Sequence, residues 1–320
     1  MTRLGPGAEF DLIRRFLAAD LPARMPDDVM VGPGDDAAVV SAHPLALSTD
    51  LSIEGIHFQR DWLTPEEIGW RAATAAFSDL AAMIARPVGI LLSIAANNDD
   101  VSEFAVRVVA GASEAARAVD ARLIGGDLTR SPGPLVIDAV VAGEVSHPLR
   151  RDGARPGDEV WVTGRLGGSA AALNAWLRGD RPSPSARARF ARPRARVREA
   201  LWLRQHVDMT AGIDLSDGLA GDLPHLAAAS AVGIIVDPDA IPVHEDADPT
   251  LALTGGEEYE LAVVAPRDAM RNVAAAFEAE FGLPLTNIGR VIESDRAEVR
   301  LRGADGATRP LPPPSYRHFD

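Results

Sequence analysis

The stretch Val31-Gly32-Pro33-Gly34-Asp35-Asp36-Ala37-Ala38-Val39-Val40 sets the reading of the whole chain. Two adjacent carboxylates follow two glycines and a proline, and an apolar run closes behind them, so the acids stand at the mouth of a strand. At an effective dielectric of about 20, two carboxylates about 4 Å apart repel by roughly 4 kcal/mol, so clustered acids need full solvation or a bound cation. A solvated turn fits the composition, because Gly, Pro and Asp are ordinary turn residues. Repetition adds weight to the cation. A short apolar run ending in Asp beside Gly, Ser or Thr recurs at Ser48-Thr49-Asp50, Gly125-Gly126-Asp127 and Asp214-Leu215-Ser216-Asp217-Gly218.

Composition narrows the class. The 320 residues suffice for two ordinary layered domains, and 47% hydrophobic with 24% charged residues describes a soluble globular protein. A formal net charge of -14 argues against nonspecific nucleic-acid binding, which needs a basic surface. The chain has no cysteine, which removes disulfides, thiolate metal sites and cysteine nucleophiles. It also has no lysine, so neither a Walker phosphate loop nor a protein-kinase site can be built. The apolar run Leu12 to Ala19 is too short for a signal peptide or membrane span, which predicts a cytoplasmic protein without a membrane partner.

Along the chain, Gly7 to Ala19 has helical spacing, with Phe10, Ile13, Leu17 and Ala18 on one face. Ala46 to Asp50 reads as a short strand ending in three oxygen donors, Ser48, Thr49 and Asp50, suited either to Mg²⁺ or to a cap. His57, between Ile56 and Phe58, has the setting of a satisfied core or edge histidine. Thr64-Pro65-Glu66-Glu67 starts a helix, with Thr as cap, Pro in the first turn and acids at the positive end of the dipole. Within it Ser78 and Asp79 interrupt an alanine-rich apolar run. A buried carboxylate there needs a partner, and a metal ion is a candidate. Val88 to Ile94 has strand length, Val101 to Val119 returns to helical spacing, and Ala121 to Asp127 is a strand running into a Gly-Gly-Asp loop. Pro134 to Val145 is a long strand pattern. The Gly, Pro and charge of Gly153 to Asp158 mark a domain boundary, giving domains over residues 1–148 and 149–320.

In the second half, strand Glu159 to Thr163 leads into Gly164 to Ser169 and a helix through Trp176, a corner able to hold a phosphate at the helix start. The Arg- and Pro-rich segment Arg178 to Arg198 reads as a solvated connection followed by a charged helix. At Ile213 to Leu219, Asp214 ends a strand while Ser216 is placed to cap a helix whose first turn carries Asp217. Thr254 to Leu261 introduces the next strand with another acid pair.

Taken in order, GDDAAVV (34–40), STDLSIEGIHF (48–58), SDLAAM (78–83), GGDLTRSP (125–132), RRDGARPGDEVWVTGRLGGSAAAL (150–173), IDLSDGLAGDL (213–223) and TGGEEYEL (254–261) resemble the thiamine-monophosphate kinase family, within the superfamily of aminoimidazole ribonucleotide synthetase and selenophosphate synthetase. The resemblance spans almost the whole chain. It implies a two-domain α/β (α+β) synthetase-like fold, with an N-terminal mixed sheet that forms a barrel across a homodimer and a C-terminal α/β domain; the nucleotide is held between domains. It further implies Mg²⁺-assisted, in-line transfer of the γ-phosphoryl group of ATP to thiamine monophosphate, giving thiamine diphosphate.

Carried over by motif, Asp36, Ser48, Thr49, Asp50, Asp79, Asp127, Asp214 and Asp217 would hold several Mg²⁺ ions. Gly126, Asp127, Arg151 and Ser216 would contact the nucleotide, and His57, Glu257 and Tyr316 the thiamine phosphate. A phosphate nucleophile has a second pKa near 6, so it is ionised at neutral pH and needs no general base. Three residues depart from the family pattern: Phe77 where a small or polar residue is usual, Glu258 for an aspartate, and Tyr316 for a tryptophan. The alternatives are a sister ATP-dependent synthetase or a non-catalytic nucleotide-binding regulator. No metal aspartate is missing, as a regulator's would be, and selenophosphate synthetase and the carbamoyl dehydratase are disfavoured for want of a cysteine.

Overall fold

The computed structural model describes residues 29–31, 39–41, 44–97 and 103–315. The expected opening helix, Asp36 and Tyr316 therefore lie outside the described residues. The chain divides into two compact units. One takes the described residues up to Leu80 with Ala85–Ser146 and Ala191–Ala195, and the other takes Ala81–Ile84, His147–Phe190 and the residues from Arg196 onward.

In the first unit the elements run β1 (Val29–Val31), β2 (Val39–Val40), β3 (Leu45–Ile53), α1 (Pro65–Ala82), β4 (Arg86–Ala96), α2 (Phe104–Ala118), β5 (Leu123–Arg130) and β6 (Val136–Glu144). Helix α1 begins as its sequence directs: Thr64 N donates to Glu67 Oε2 at 2.8 Å, and Glu67 N donates back to Thr64 Oγ1 at 3.3 Å. Helices α1 and α2 cross where each carries a glycine. A Cβ on Gly69 would lie 1.8 Å from Val108 O, and one on Gly111 would lie 1.9 Å from Glu66 O.

Strands β3, β6, β4 and β5 form a mixed sheet in that order, antiparallel except for the β4/β5 pair. Alternation splits it into two unlike faces. Ile137, Ala139 and Val141 of β6 and Ile90, Ile94 and Ala96 of β4 are buried, with Leu80 of α1 against β6 at Gly143, and Phe77 of α1 is fully buried as well. Phe77, unusual by family pattern, is thus a core residue. The other face exposes Leu45, Leu47 and Leu51, up to 68% at Leu47.

The second unit comprises β7 (Glu159–Thr163), α3 (Gly168–Leu177), α4 (Pro184–Ala191), α5 (Val197–His206), β8 (Ala211–Leu215), α6 (Leu219–Ser230), β9 (Gly233–Val236), α7 (Pro249–Thr254), β10 (Glu260–Ala265), α8 (Arg271–Phe281), β11 (Leu285–Ile292), β12 (Val299–Arg302) and β13 (Thr308–Pro310). Its seven strands lie in the order β13-β12-β9-β11-β7-β10-β8. Val160, Val162, Ile213, Leu215, Leu219, Leu223, Ile234 and Val264 form the core, where each large aliphatic side chain contributes about 1.5–3 kcal/mol. Every residue of β7, β8 and β10 is buried. The acids within those strands, Glu159, Asp214 and Glu260, are therefore out of bulk water and need partners.

Candidate functional site

Each unit carries its own cluster of acids. In the first, Ser48 lies on the helical side of β3 and its Oγ donates to Asp79 Oδ2 on α1. Asp50, two residues on, shares that face by alternation. Thr49 points to the opposite face, where its Oγ1 donates to Asp138 Oδ1 at 2.6 Å. The sequence expectation of three donors at a strand end is corrected here: β3 runs on to Ile53, so the three hydroxyl and carboxylate side chains divide between two faces.

Register then sets a row across the open face. Leu51 pairs with Asp138, Asp138 with Ser93, and Ser93 with Asp127. Asp127 is thus three strand spacings from β3, roughly 14 Å. The Gly125-Gly126-Asp127 segment, expected as a loop, continues β5 to Arg130. A side chain at Gly126 would put its Cβ 2.0 Å from Leu92 O, so only glycine lets β5 lie against β4 there.

His57 occupies the turn after β3. Gly55, at φ +87°, reverses the chain, and His57 Nδ1 accepts from Ile53 N at 3.0 Å. That bond keeps the proton of a neutral ring on Nε2.

In the second unit the acids gather at the β8–α6 corner. Asp214 is 4% exposed, and Ser216 and Asp217 are exposed in the turn that follows. Ser216 does not cap the helix, contrary to expectation: α6 starts at Leu219, after Gly218 at φ +87°, with no side-chain cap. Asp222 instead organises the turn from the first turn of α6, its Oδ2 accepting from Asp217 N at 3.0 Å. Burial, reinforced by Asp214 and then Asp217, pushes the Asp222 carboxyl up to about 8, and Arg151 partly opposes the rise. Arg151 is exposed and close enough to act on this corner, and its carbonyl accepts from Ser230 Oγ at 2.6 Å.

The Thr254–Glu260 segment packs against the same corner. Glu257 N donates to Ser216 O at 2.7 Å and Tyr259 N to Leu215 O at 2.9 Å. A Cβ at Gly256 would meet Ser216 O at 2.6 Å, and one at Gly218 would meet Gly255 O at 2.4 Å. Glu257 and Tyr259 have φ of +65° and +52°, a backbone region that costs a non-glycine residue on the order of 1–3 kcal/mol unless its surroundings enforce it. The enforcing contacts are plain. Ser169 Oγ donates to Glu257 O at 2.7 Å, and Tyr259 Oη donates to Glu257 Oε2 at 2.7 Å.

The alternate residues face inward. Glu258 Oε1 accepts from Gly167 N at 3.0 Å and Ser169 N at 3.1 Å, so the start of α3, which could have held a phosphate, holds the protein's own carboxylate. Arg189 bonds Glu258 Oε2 at 3.2 Å and Glu260 Oε1 at 2.9 Å, and Arg196 bonds Glu260 and Glu199. The Arg178–Arg198 segment is therefore not simply solvated. Two of its arginines turn inward because the buried Glu258 and Glu260 need cations and the chain has no lysine. Burial pushes the Glu258 carboxyl up, with Arg189 opposing. Burial also acts against ionised Glu260, but Arg196 and Arg189 override it and hold that carboxyl below the usual range.

Another grouping, His244, Glu245 and Asp246, brings an imidazole and two carboxylates together. Both imidazole nitrogens are already engaged there, Nδ1 with Asp246 N and Nε2 with Ser185 Oγ.

Sequence reasoning did not single out Asp138, Asp222 or Tyr259. The signal applied to Asp79, an acid inside an apolar run, also marks Asp138 in Val136-Ile137-Asp138-Ala139-Val140 and Asp222 ahead of Leu223. The Tyr259 hydroxyl leaves no such signature.

Two family models match the chain: the AIR synthase related protein N-terminal domain over residues 34–145 and its C-terminal domain over residues 155–302. Thiamine-monophosphate kinase of Salmonella typhimurium is 36% identical, covering 88% of this chain and 90% of its own. The crystal structure of thiamine-monophosphate kinase from Stenotrophomonas maltophilia superposes with a TM-score of 0.80 at 35% identity, covering 94% of this chain and 98% of its own. The structure described as AaThiL complexed with AMPPCP and TMP superposes with a TM-score of 0.76 at 30% identity, over 97% and 95% of the two chains.

Proposed function

The chain belongs to the thiamine-monophosphate kinase family of AIR synthase related proteins, and from that premise we infer an assignment for its two acid clusters. The reaction is ATP-dependent phosphorylation of thiamine monophosphate to thiamine diphosphate. One observation carries the assignment: in each unit a carboxylate is fixed beside a strand by a neighbour, Asp79 by the Ser48 hydroxyl and Asp222 by the Asp217 amide.

We assign Ser48, Asp50 and Asp79 on the helical side of the first sheet, Thr49 and Asp127 on its open face, and Asp214 and Asp217 in the second unit, with Asp36, as residues that would hold Mg²⁺ at separate positions. The donor set fits that ion, being all oxygen and mostly carboxylate. Burial, reinforced by the neighbouring Asp214 and Asp217, drives Asp222 toward its neutral form, and the repulsion among the three carboxylates is what a cation would relieve. Bound there, Mg²⁺ would supply positive charge against the phosphates of both substrates. Arg151, Ser216, Gly126 and Asp127 are the nucleotide contacts of this reading; a guanidinium fork matches phosphate oxygens. Gly126 serves through its backbone, since no side chain fits.

Direct in-line transfer needs no general base, because the acceptor phosphate is already ionised. The work of the protein is positioning and charge balance. His57, Glu257 and Tyr316 are assigned to thiamine monophosphate, with the Glu257 carboxylate facing its cationic thiazolium.

The open face of the first sheet supports a homodimer. Leu45, Leu47 and Leu51 are an apolar surface that a monomer would leave in water, and a second copy closing a barrel there would bury it. The cytoplasmic setting belongs to the same reading. No described helix is long and apolar enough to cross a membrane.

The test is steady-state turnover with ATP across thiamine monophosphate, free thiamine and aminoimidazole precursors. Thiamine monophosphate should be the acceptor used; turnover only with the precursors would move the assignment to a sister synthetase.

A further inference from the structure

The Thr254–Glu260 segment alternates in what it serves. Glu258 and Glu260 are buried and tied to Arg189 and Arg196, while Glu257 is partly exposed beside the Ser216 turn. Between the two anchors stands Tyr259, 6% exposed, whose hydroxyl donates to Glu257 Oε2 at 2.7 Å. A glutamate has three side-chain torsions and ordinarily samples several rotamers. Here one carboxylate oxygen is held by a ring that has no freedom to follow it, because Tyr259 is buried and its backbone is bonded to Leu215. The Glu257 carbonyl is held independently by Ser169 Oγ at 2.7 Å, and its amide by Ser216 O. The amide, the carbonyl and one carboxylate oxygen of Glu257 are thus each restrained by a neighbour. A negative φ would suit both residues better in isolation, so the arrangement persists through these contacts.

We propose that Tyr259 is a positioning residue for acceptor selectivity: its hydroxyl orients the Glu257 carboxylate toward the cationic ring of the acceptor, and the buried Glu258–Arg189 and Glu260–Arg196 pairs form the rigid base under it. This rests on the reading of Glu257 as an acceptor contact. Preorganisation of this kind lowers the ordering cost of binding one substrate and leaves the other untouched.

Kinetics of the full chain separate the possibilities. Tyr259→Phe removes only the hydroxyl; it should raise KM for thiamine monophosphate about three- to tenfold while KM for ATP and kcat stay within about twofold. Glu257→Gln should raise the same constant more. In a Glu257→Ala background, which leaves the hydroxyl no acceptor, adding Tyr259→Phe should change that constant by no more than about twofold, because the hydroxyl acts through that carboxylate. If Glu257→Gln is selective for the acceptor but Tyr259→Phe is silent, or if Tyr259→Phe keeps its full effect in the Glu257→Ala background, the positioning role falls and the Glu257 reading survives. If Glu257→Gln leaves the acceptor constant unchanged, the reading itself fails and takes the inference with it. A thermal melt of each variant identifies a folding defect; should Tyr259→Phe not fold, Ser169→Ala removes the restraint on the Glu257 carbonyl and carries the same expectation.

Discussion

Arg196 holds Glu260 by both carboxylate oxygens, Nε to Oε2 at 2.7 Å and Nη2 to Oε1 at 2.5 Å, and the two side chains are only 3% and 0% exposed. Removing one member of such a pair leaves a buried charge uncompensated, which typically costs about 3–5 kcal/mol. Arg196→Met should therefore lower the urea midpoint sharply, whereas a surface change such as Arg178→Met should leave it nearly unmoved.

The same pair sets a pH dependence. The Glu260 carboxyl is lowered in the folded chain from an ordinary value of 4.5, so the unfolded chain takes up its proton first as pH falls. Its contribution to stability is complete above about pH 4.5 and is lost as pH drops through the folded value. Unfolding free energy measured from pH 7 to pH 3 should fall more steeply for the unmodified chain than for Glu260→Gln.

Asp222 works in the opposite direction. Its carboxyl is raised from 3.8 to about 8, so between those values the unfolded chain is ionised and the folded one keeps its proton. Stability then declines as pH rises through that window. Asp222→Asn retains an acceptor for the Asp217 amide and removes the charge, so without added Mg²⁺ it should be more stable than the unmodified chain at pH 8. Equal melting temperatures from pH 5 to pH 8 would contradict this.

Activity should require Mg²⁺ beyond the amount that ATP itself binds, because the two clusters carry more carboxylates than one nucleotide-bound ion can engage. Turnover at fixed ATP should continue to rise past one equivalent of Mg²⁺. A plateau at equivalence would count against several ions.

Asp50→Asn and Asp214→Asn each preserve shape and remove one charge. Both should fold, with melting temperatures within a few degrees, and both should lose turnover by orders of magnitude. Near-normal turnover in either would remove that residue from the metal set.

Much of the architecture was legible from residues alone, because its rules are local. The Thr64–Glu67 cap, the strand over Glu159–Thr163 and the helix through Trp176 each follow from spacing within a few residues. The acids at Ser48–Asp50, Asp79, Asp127 and Asp214–Asp217 were visible as charges set against apolar runs. What no window of sequence could decide is which surfaces meet. Thr49 turns to Asp138 while Ser48 turns to Asp79, because a nine-residue strand, not a strand end, carries them. Arg189 and Arg196, ordinary surface residues by composition, were drawn in by the charges of Glu258 and Glu260, which lie about 60 to 70 positions away in the chain and become neighbours only when α4 and α5 dock on β10. Periodicity is set by bonds between near neighbours, whereas the cost of a buried charge depends on every group that folding brings around it.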